Sequence, residues 1–167
     1  MIDYTIALVD TNEAQLNWME CVLSEFFKIK KYKLGKDLVK DLDGLKADLV
    51  MIDFDISDMS SLDLQQEIRK NRPDVETAMI SVLDRSKCVI QSMRKRAMDY
   101  VFRSSDKERF ITDVCKLVRY LIEMKTLSKY QAFLKKIGLE KVFDGFENGQ
   151  EIKADDLQKA IDEFKGK

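Results

Sequence analysis

Between Asp48 and Leu64 the chain reads DLVMIDFDISDMSSLDL, five aspartates in seventeen residues, and four of the five come after the apolar run begins. A buried carboxylate is costly unless something compensates its charge. Aspartates at the end of a hydrophobic segment are therefore either loop solubilisers or working groups. Asp53 closes this run, and a second apolar run over residues 5–9 ends in Asp10. The 167 residues include no histidine. That removes the commonest general base, the commonest transition-metal ligand and every Ser–His or Cys–His nucleophile. Chemistry is left to carboxylates, Lys, Arg, hydroxyls and a hard metal. Cys21, Cys88 and Cys115 are odd in number, far apart and without CxxC spacing, and read as reduced core thiols.

The elements that must position these groups follow from hydrophobic periodicity. After Asp10, Asn12 is placed to cap a helix from Glu13 to about Phe27, with Leu16, Met19, Val22, Leu23 and Phe26 at helical spacing. Residues 28–34 alternate Lys with Ile, Tyr and Leu, as an exposed edge strand does. A short helix is expected over 36–42 and a fully covered parallel strand over 47–54. A helix over 62–71, a strand over 77–83, a basic helix over 85–96, a short strand over 99–102 and an amphipathic helix over 106–124 complete the series. Five alternations of strand and helix predict an α/β fold, a doubly wound parallel sheet with helices on both faces. In such sheets ligands bind beyond the carboxyl ends of the strands, where Asp10 and Asp53 lie. They converge if the first and third strands are neighbours.

Hydrophobic residues make up 45% of the chain, which excludes bulk disorder, and the net charge of −1 gives no global field to recruit nucleic acid or an anionic membrane. No apolar run is long enough to span a membrane and the N-terminus lacks the pattern of a signal peptide, so a cytoplasmic protein is expected.

Five segments in order, Ala7-Leu-Val-Asp10, Asp48-Leu-Val-Met-Ile-Asp53, Asp58-Met-Ser-Ser-Leu62, Met79-Ile-Ser81-Val82 and Ala97-Met-Asp-Tyr100-Val-Phe-Arg103, resemble the receiver domain of bacterial two-component response regulators. The resemblance covers about residues 4–125. It implies a five-stranded flavodoxin-like sheet in which Asp53 accepts a phosphoryl group. It also implies magnesium held by Asp10, Asp53 and the backbone carbonyl of Asp55. Ser81 would contact the phosphoryl group, and Tyr100 would swing with Ser81 as the switch. The implied partner is a sensor histidine kinase or another signalling protein. The implied chemistry stops at taking up and losing that phosphoryl group, so the chain is not expected to be an enzyme in the wider sense.

The sequence departs from the family pattern at the site itself. Thr11 replaces the second acid of the metal pair, Arg103 the phosphate-contacting lysine and Ser104 the proline after it. Ser57 and Ser61 stand where Pro and Gly are usual. One anion fewer weakens a magnesium site. A guanidinium keeps the charge of lysine but is longer and planar. It is suited to pair with Asp53 or Asp10 without metal. Two readings follow: a working receiver with an atypical, weakened site, and a pseudo-receiver that binds partners without phosphorylation. A remote third is a phosphohydrolase with Asp53 as nucleophile and Asp55 as its acid, though further acidic partners and a cap domain are missing.

Residues 126–167 read as a helical extension to a domain over 1–125. Helical periodicity continues over 127–137, a turn is expected over 144–149 and a second amphipathic helix over 154–164. The extension balances eight Lys against eight acidic residues and offers no basic recognition helix, which argues against a DNA-binding output. The basic residues Arg85, Lys87, Arg94, Lys95 and Arg96 lie on the helix before the 99–102 strand. Acidic residues stud the helix after it, and this complementarity points to a homodimer through that face or the extension.

Overall fold

The computed structural model describes residues 3–81 and 99–136. Within them five strands form one parallel sheet in the order β2-β1-β3-β4-β5: β1 (Thr5–Val9), β2 (Lys28–Tyr32), β3 (Leu49–Asp53), β4 (Glu76–Ser81) and β5 (Asp99–Phe102). The helices are α1 (Glu13–Leu23), α2 (Gly35–Asp41), α3 (Ser61–Asn71) and α4 (Lys107–Lys136), with a 3-10 turn over Leu42–Gly44. This is the doubly wound, flavodoxin-like arrangement that the alternation of elements predicts.

Burial follows position in the sheet. All five residues of central β3 are buried, whereas β2 at the edge has none buried and exposes Lys28 and Lys31. On one face Ala7, Val9, Val50, Ile52 and Met79 form a core with Leu38 of α2 and with Leu64 and Ile68 of α3. The alternate residues Ile6, Leu8, Leu49, Met51, Ala78 and Ile80 point the other way and are fully buried too. Beside them, Trp18 of α1 meets Phe110 of α4 with ring centroids 5.2 Å apart.

The helix ends are set by particular side chains. Asn12 caps α1 by accepting the Gln15 N–H, as the sequence predicts. The helix stops at Leu23, earlier than expected, and the chain then turns so that Phe27 is buried and Phe26 only half-buried. Cys21 is exposed, which corrects the expectation of a core thiol: at 100° per residue it lies on the face of α1 opposite Leu16. Cys115 is half-buried, and burial pushes its thiol up.

The chain divides into two compact units, residues 1–115 and 116–167. The sheet lies in the first. The described part of the second is the remainder of α4, which passes residue 126 unbroken, buries Leu117, Val118 and Leu121, and pairs Arg119 with Glu123. The expected basic helix over 85–96, Cys88, the end of the 77–83 strand, and the turn and helix of the extension fall outside the described residues. So does one half of the charged face on which the homodimer expectation rests. No described helix is long and apolar enough to cross a membrane.

Candidate functional site

The register of β1 against β3 pairs Val9 with Ile52, so the next residue of each strand, Asp10 and Asp53, lie side by side at the carboxyl edge. Both are buried, at 3% and 8% exposure. Arg103 follows β5, two strands away from β3, and its backbone N–H donates to the Ser81 carbonyl at 2.9 Å. A long side chain is needed to cross β4 from there. The Arg103 guanidinium does so: Nη1 donates to Asp10 Oδ2 at 2.5 Å, and Nη2 stands 3.7 Å from Asp53 Oδ1. The arginine is itself 8% exposed, and its Nε–H has no hydrogen-bond partner.

Each carboxylate also accepts a local backbone N–H, Asp10 Oδ1 from Asn12 at 2.7 Å and Asp53 Oδ2 from Asp55 at 3.0 Å. The two are nonetheless unequal. Burial, then the neighbouring charge of Asp10, pushes the Asp53 carboxyl above its ordinary value, and the Asp55 N–H and the more distant Arg103 only partly offset this. Arg103 is committed to Asp10, and Asp53 is left under-compensated.

Ser81 is buried at the end of β4, in register with Phe102. Tyr100 lies opposite Met79 on β5 and packs half-buried against the core on the α2 and α3 side. Asp55 touches the site through its N–H, and its side chain is exposed. The remaining aspartates of the opening stretch have structural duties. Asp48 accepts the Thr5 N–H at 2.9 Å and so ties down the start of β1, and Asp63 stands in the first turn of α3.

Two positioning contacts escaped the sequence reading. Thr11 Oγ1 accepts the Ser57 N–H at 2.9 Å and meets Ser57 Oγ at 3.3 Å, fastening the loop after β3 to the loop after β1. Asp58 caps α2 from a distance, accepting the N–H groups of Gly35 and Lys36 at 3.0 and 2.9 Å. Burial opposes the Asp58 charge, but these donors outweigh it and hold its carboxyl below the ordinary value. The N-cap residue itself, Leu34, has no side chain to do this, which was the one available signal. A β-carbon on Gly35 would come within 2.8 Å of Met59 Sδ, so a larger residue here would push the methionine side chain aside.

After Arg103 the chain turns sharply, with the Ser104 N–H donating to the Phe102 carbonyl at 2.9 Å. A proline at 104 lacks that donor. Ser104 Oγ accepts the Asp106 N–H, and Asp106 caps α4 through the Arg109 N–H.

As arranged, these residues do not fit magnesium. Magnesium is usually held by one or two carboxylates, with water filling the rest of its shell, and those carboxylates must be free to coordinate. Here Asp10 is taken by an N–H and a guanidinium, Thr11 is engaged with Ser57, and no group of three or more acidic or thiol side chains among the described residues could hold an ion.

Comparison with known proteins bears on this geometry. The response regulator receiver domain profile matches residues 6–115. The luminescence regulatory protein LuxO of Vibrio campbellii is 22% identical over 106 residues, which are 60% of this chain and 23% of that protein. The chemotaxis protein CheY of Listeria monocytogenes is 24% identical over 88 residues, 53% of this chain and 74% of that protein. The chain thus spans about a quarter of the length of the LuxO relatives it matches. Among solved structures, the signal receiver domain of a putative LuxO repressor protein from Vibrio parahaemolyticus superposes with a TM-score of 0.67 at 16% identity, covering 75% of this chain and 98% of that one. The CheY-like receiver from Methanospirillum hungatei gives 0.66 at 15% identity, covering 73% and 98%.

Proposed function

The chain belongs to the response regulator receiver domain family, and from that premise we propose that it relays a signal through protein–protein contact with its acid pair neutralised by Arg103, without a metal ion or a phosphoryl group. Receiver domains work with histidine kinases and effector proteins, generally bind magnesium, and are generally not enzymes. The observation that carries the pseudo-receiver reading is the buried ion pair between Arg103 Nη1 and Asp10 Oδ2. Phosphoryl transfer to a carboxylate depends on positioning and charge neutralisation. Here the neutralising cation is covalently part of the chain and already engaged. A magnesium ion entering the site would have to displace it.

The second reading, phosphoryl acceptance on Asp53, has one specific observation in its favour. Asp53 is the acid left under-compensated, beside the strand end that carries Ser81. It requires Arg103 to leave Asp10. The hydrolase reading needs Asp55 as an acid in the site, and Asp55 is exposed whereas Asp53 is buried. The roles of Ser81 and Tyr100 as switch residues go with this second reading, whereas the cytoplasmic location, the homodimer and the boundary near residue 125 are proposed with either.

Intact-mass measurement after incubation of the full chain with acetyl phosphate and magnesium separates the two readings. No phosphoryl adduct is expected on the wild-type chain, and a partial adduct is expected on the double variant Arg103→Lys/Thr11→Asp. Near-complete modification of the wild-type chain would overturn the proposal.

A further inference from the structure

Residues of α1 and of the turn after β5, Arg103 among them, line an open cleft of about 510 Å³. That lies within the usual range for small-molecule sites. Its walls are mixed. Trp18 and Phe102 give flat apolar surface, and Phe102 is 40% exposed. Gln15, Ser104 and Ser105 contribute hydrogen-bonding groups. Arg103 also lines the cleft, and its Nε–H is the unpaired donor noted above, on a residue more than nine-tenths buried. A buried donor without an acceptor is a standing defect that a bound acceptor can repair.

Charge decides what kind of acceptor. The guanidinium is already matched by Asp10 and Asp53, and Asp106, whose N–H donates to the cleft residue Ser104, adds a further acid. A second anion would meet this acidic surplus. A cation has no lone pair to offer the N–H and would face the guanidinium. An uncharged acceptor on a flat ring meets neither objection.

We propose that this cleft binds a flat, uncharged ring compound bearing a carbonyl acceptor, of the aromatic amide or lactam class. Its ring lies against Trp18 and Phe102 and its carbonyl takes the Arg103 Nε–H. The N–H is sealed from water, so binding includes a small turn of the guanidinium toward the cleft. The inference rests on the Arg103–Asp10 pairing of the proposed function, in which Arg103 lines the cleft.

Trp18 is the only tryptophan, so a ¹⁵N-labelled full chain gives a single indole N–H signal that reports on the cleft. Benzamide, benzoate and benzylamine present the same ring with a neutral acceptor, an anion and a cation. Benzamide is expected to move the Trp18 signal saturably and to bind about tenfold or more tightly than either charged probe. The exposed-site variant Phe102→Ala is expected to weaken benzamide by about tenfold, the scale of one lost ring contact. No saturable shift with benzamide, equal or tighter binding of benzoate or benzylamine, or an unchanged affinity in Phe102→Ala would each overturn the proposal.

Discussion

At the β2 edge of the sheet, Lys28, Lys31 and Lys33 meet Asp3, Glu20 and Glu13 at 2.6, 2.6 and 3.0 Å, while beyond β1 the Arg103 guanidinium meets Asp10 at 2.5 Å. By length these are the same interaction. Their surroundings differ: the side chains of Lys31 and Glu20 are 31% and 42% exposed, those of Arg103 and Asp10 7% and 4%. Water and salt compensate the first set whether or not the pairs form, and nothing but the partner compensates the second. The difference teaches that a contact distance says little about what a charge pair does. The β2 pairs keep an exposed edge soluble and unavailable for strand addition. On the proposed function, the Arg103 pair determines whether a cation from solution can reach the acids.

The largest effect should come from breaking the buried set. Arg103→Ala leaves Asp10 buried and uncompensated beside Asp53, and a loss of about 3–5 kcal/mol in urea-unfolding free energy is expected. A smaller change of opposite sign should come from Asp53→Asn. The folded state holds the Asp53 proton more tightly than the unfolded chain does, because its carboxyl is pushed up by burial and by Asp10. Wild-type stability therefore contains a cost that is absent below the ordinary carboxylate range and grows as pH rises through the raised folded value. Asp53→Asn should match the wild type in acid and exceed it at neutral pH. Parallel melting curves across that range check it, and a variant less stable at neutral pH would count against the reading of Asp53 as under-compensated. The smallest effect belongs to the β2 edge: Lys31→Ala should cost less than about 1 kcal/mol and lose even that in high salt. An Arg103→Ala loss as small and as salt-sensitive as this one would erase the contrast.

What could be read from the sequence divides along the same line. The carboxyl ends of buried strands were legible because β3 is a continuous apolar run closed by Asp53, and that pattern has few alternatives. The pairing of Arg103 with an acid was legible from charge alone, since two clustered carboxylates need a counter-ion. The long-range caps were not. Asp58 serves a helix that begins 23 residues before it, and no local periodicity encodes that contact. Thr11 looked like a lost acid, and its fastening to Ser57 emerges only when the two loops are brought together. Helical phase puts Phe26 on the buried face, and the structure buries Phe27 instead, because the helix ends in a turn after Leu23 and phase no longer holds there.

The central claim is that Arg103 stands in for a metal ion. Calorimetric titration of the full wild-type chain with magnesium chloride tests it most directly. The account predicts no saturable binding below millimolar magnesium, because the ion must displace a buried guanidinium from Asp10. Saturable binding in the micromolar range would contradict it.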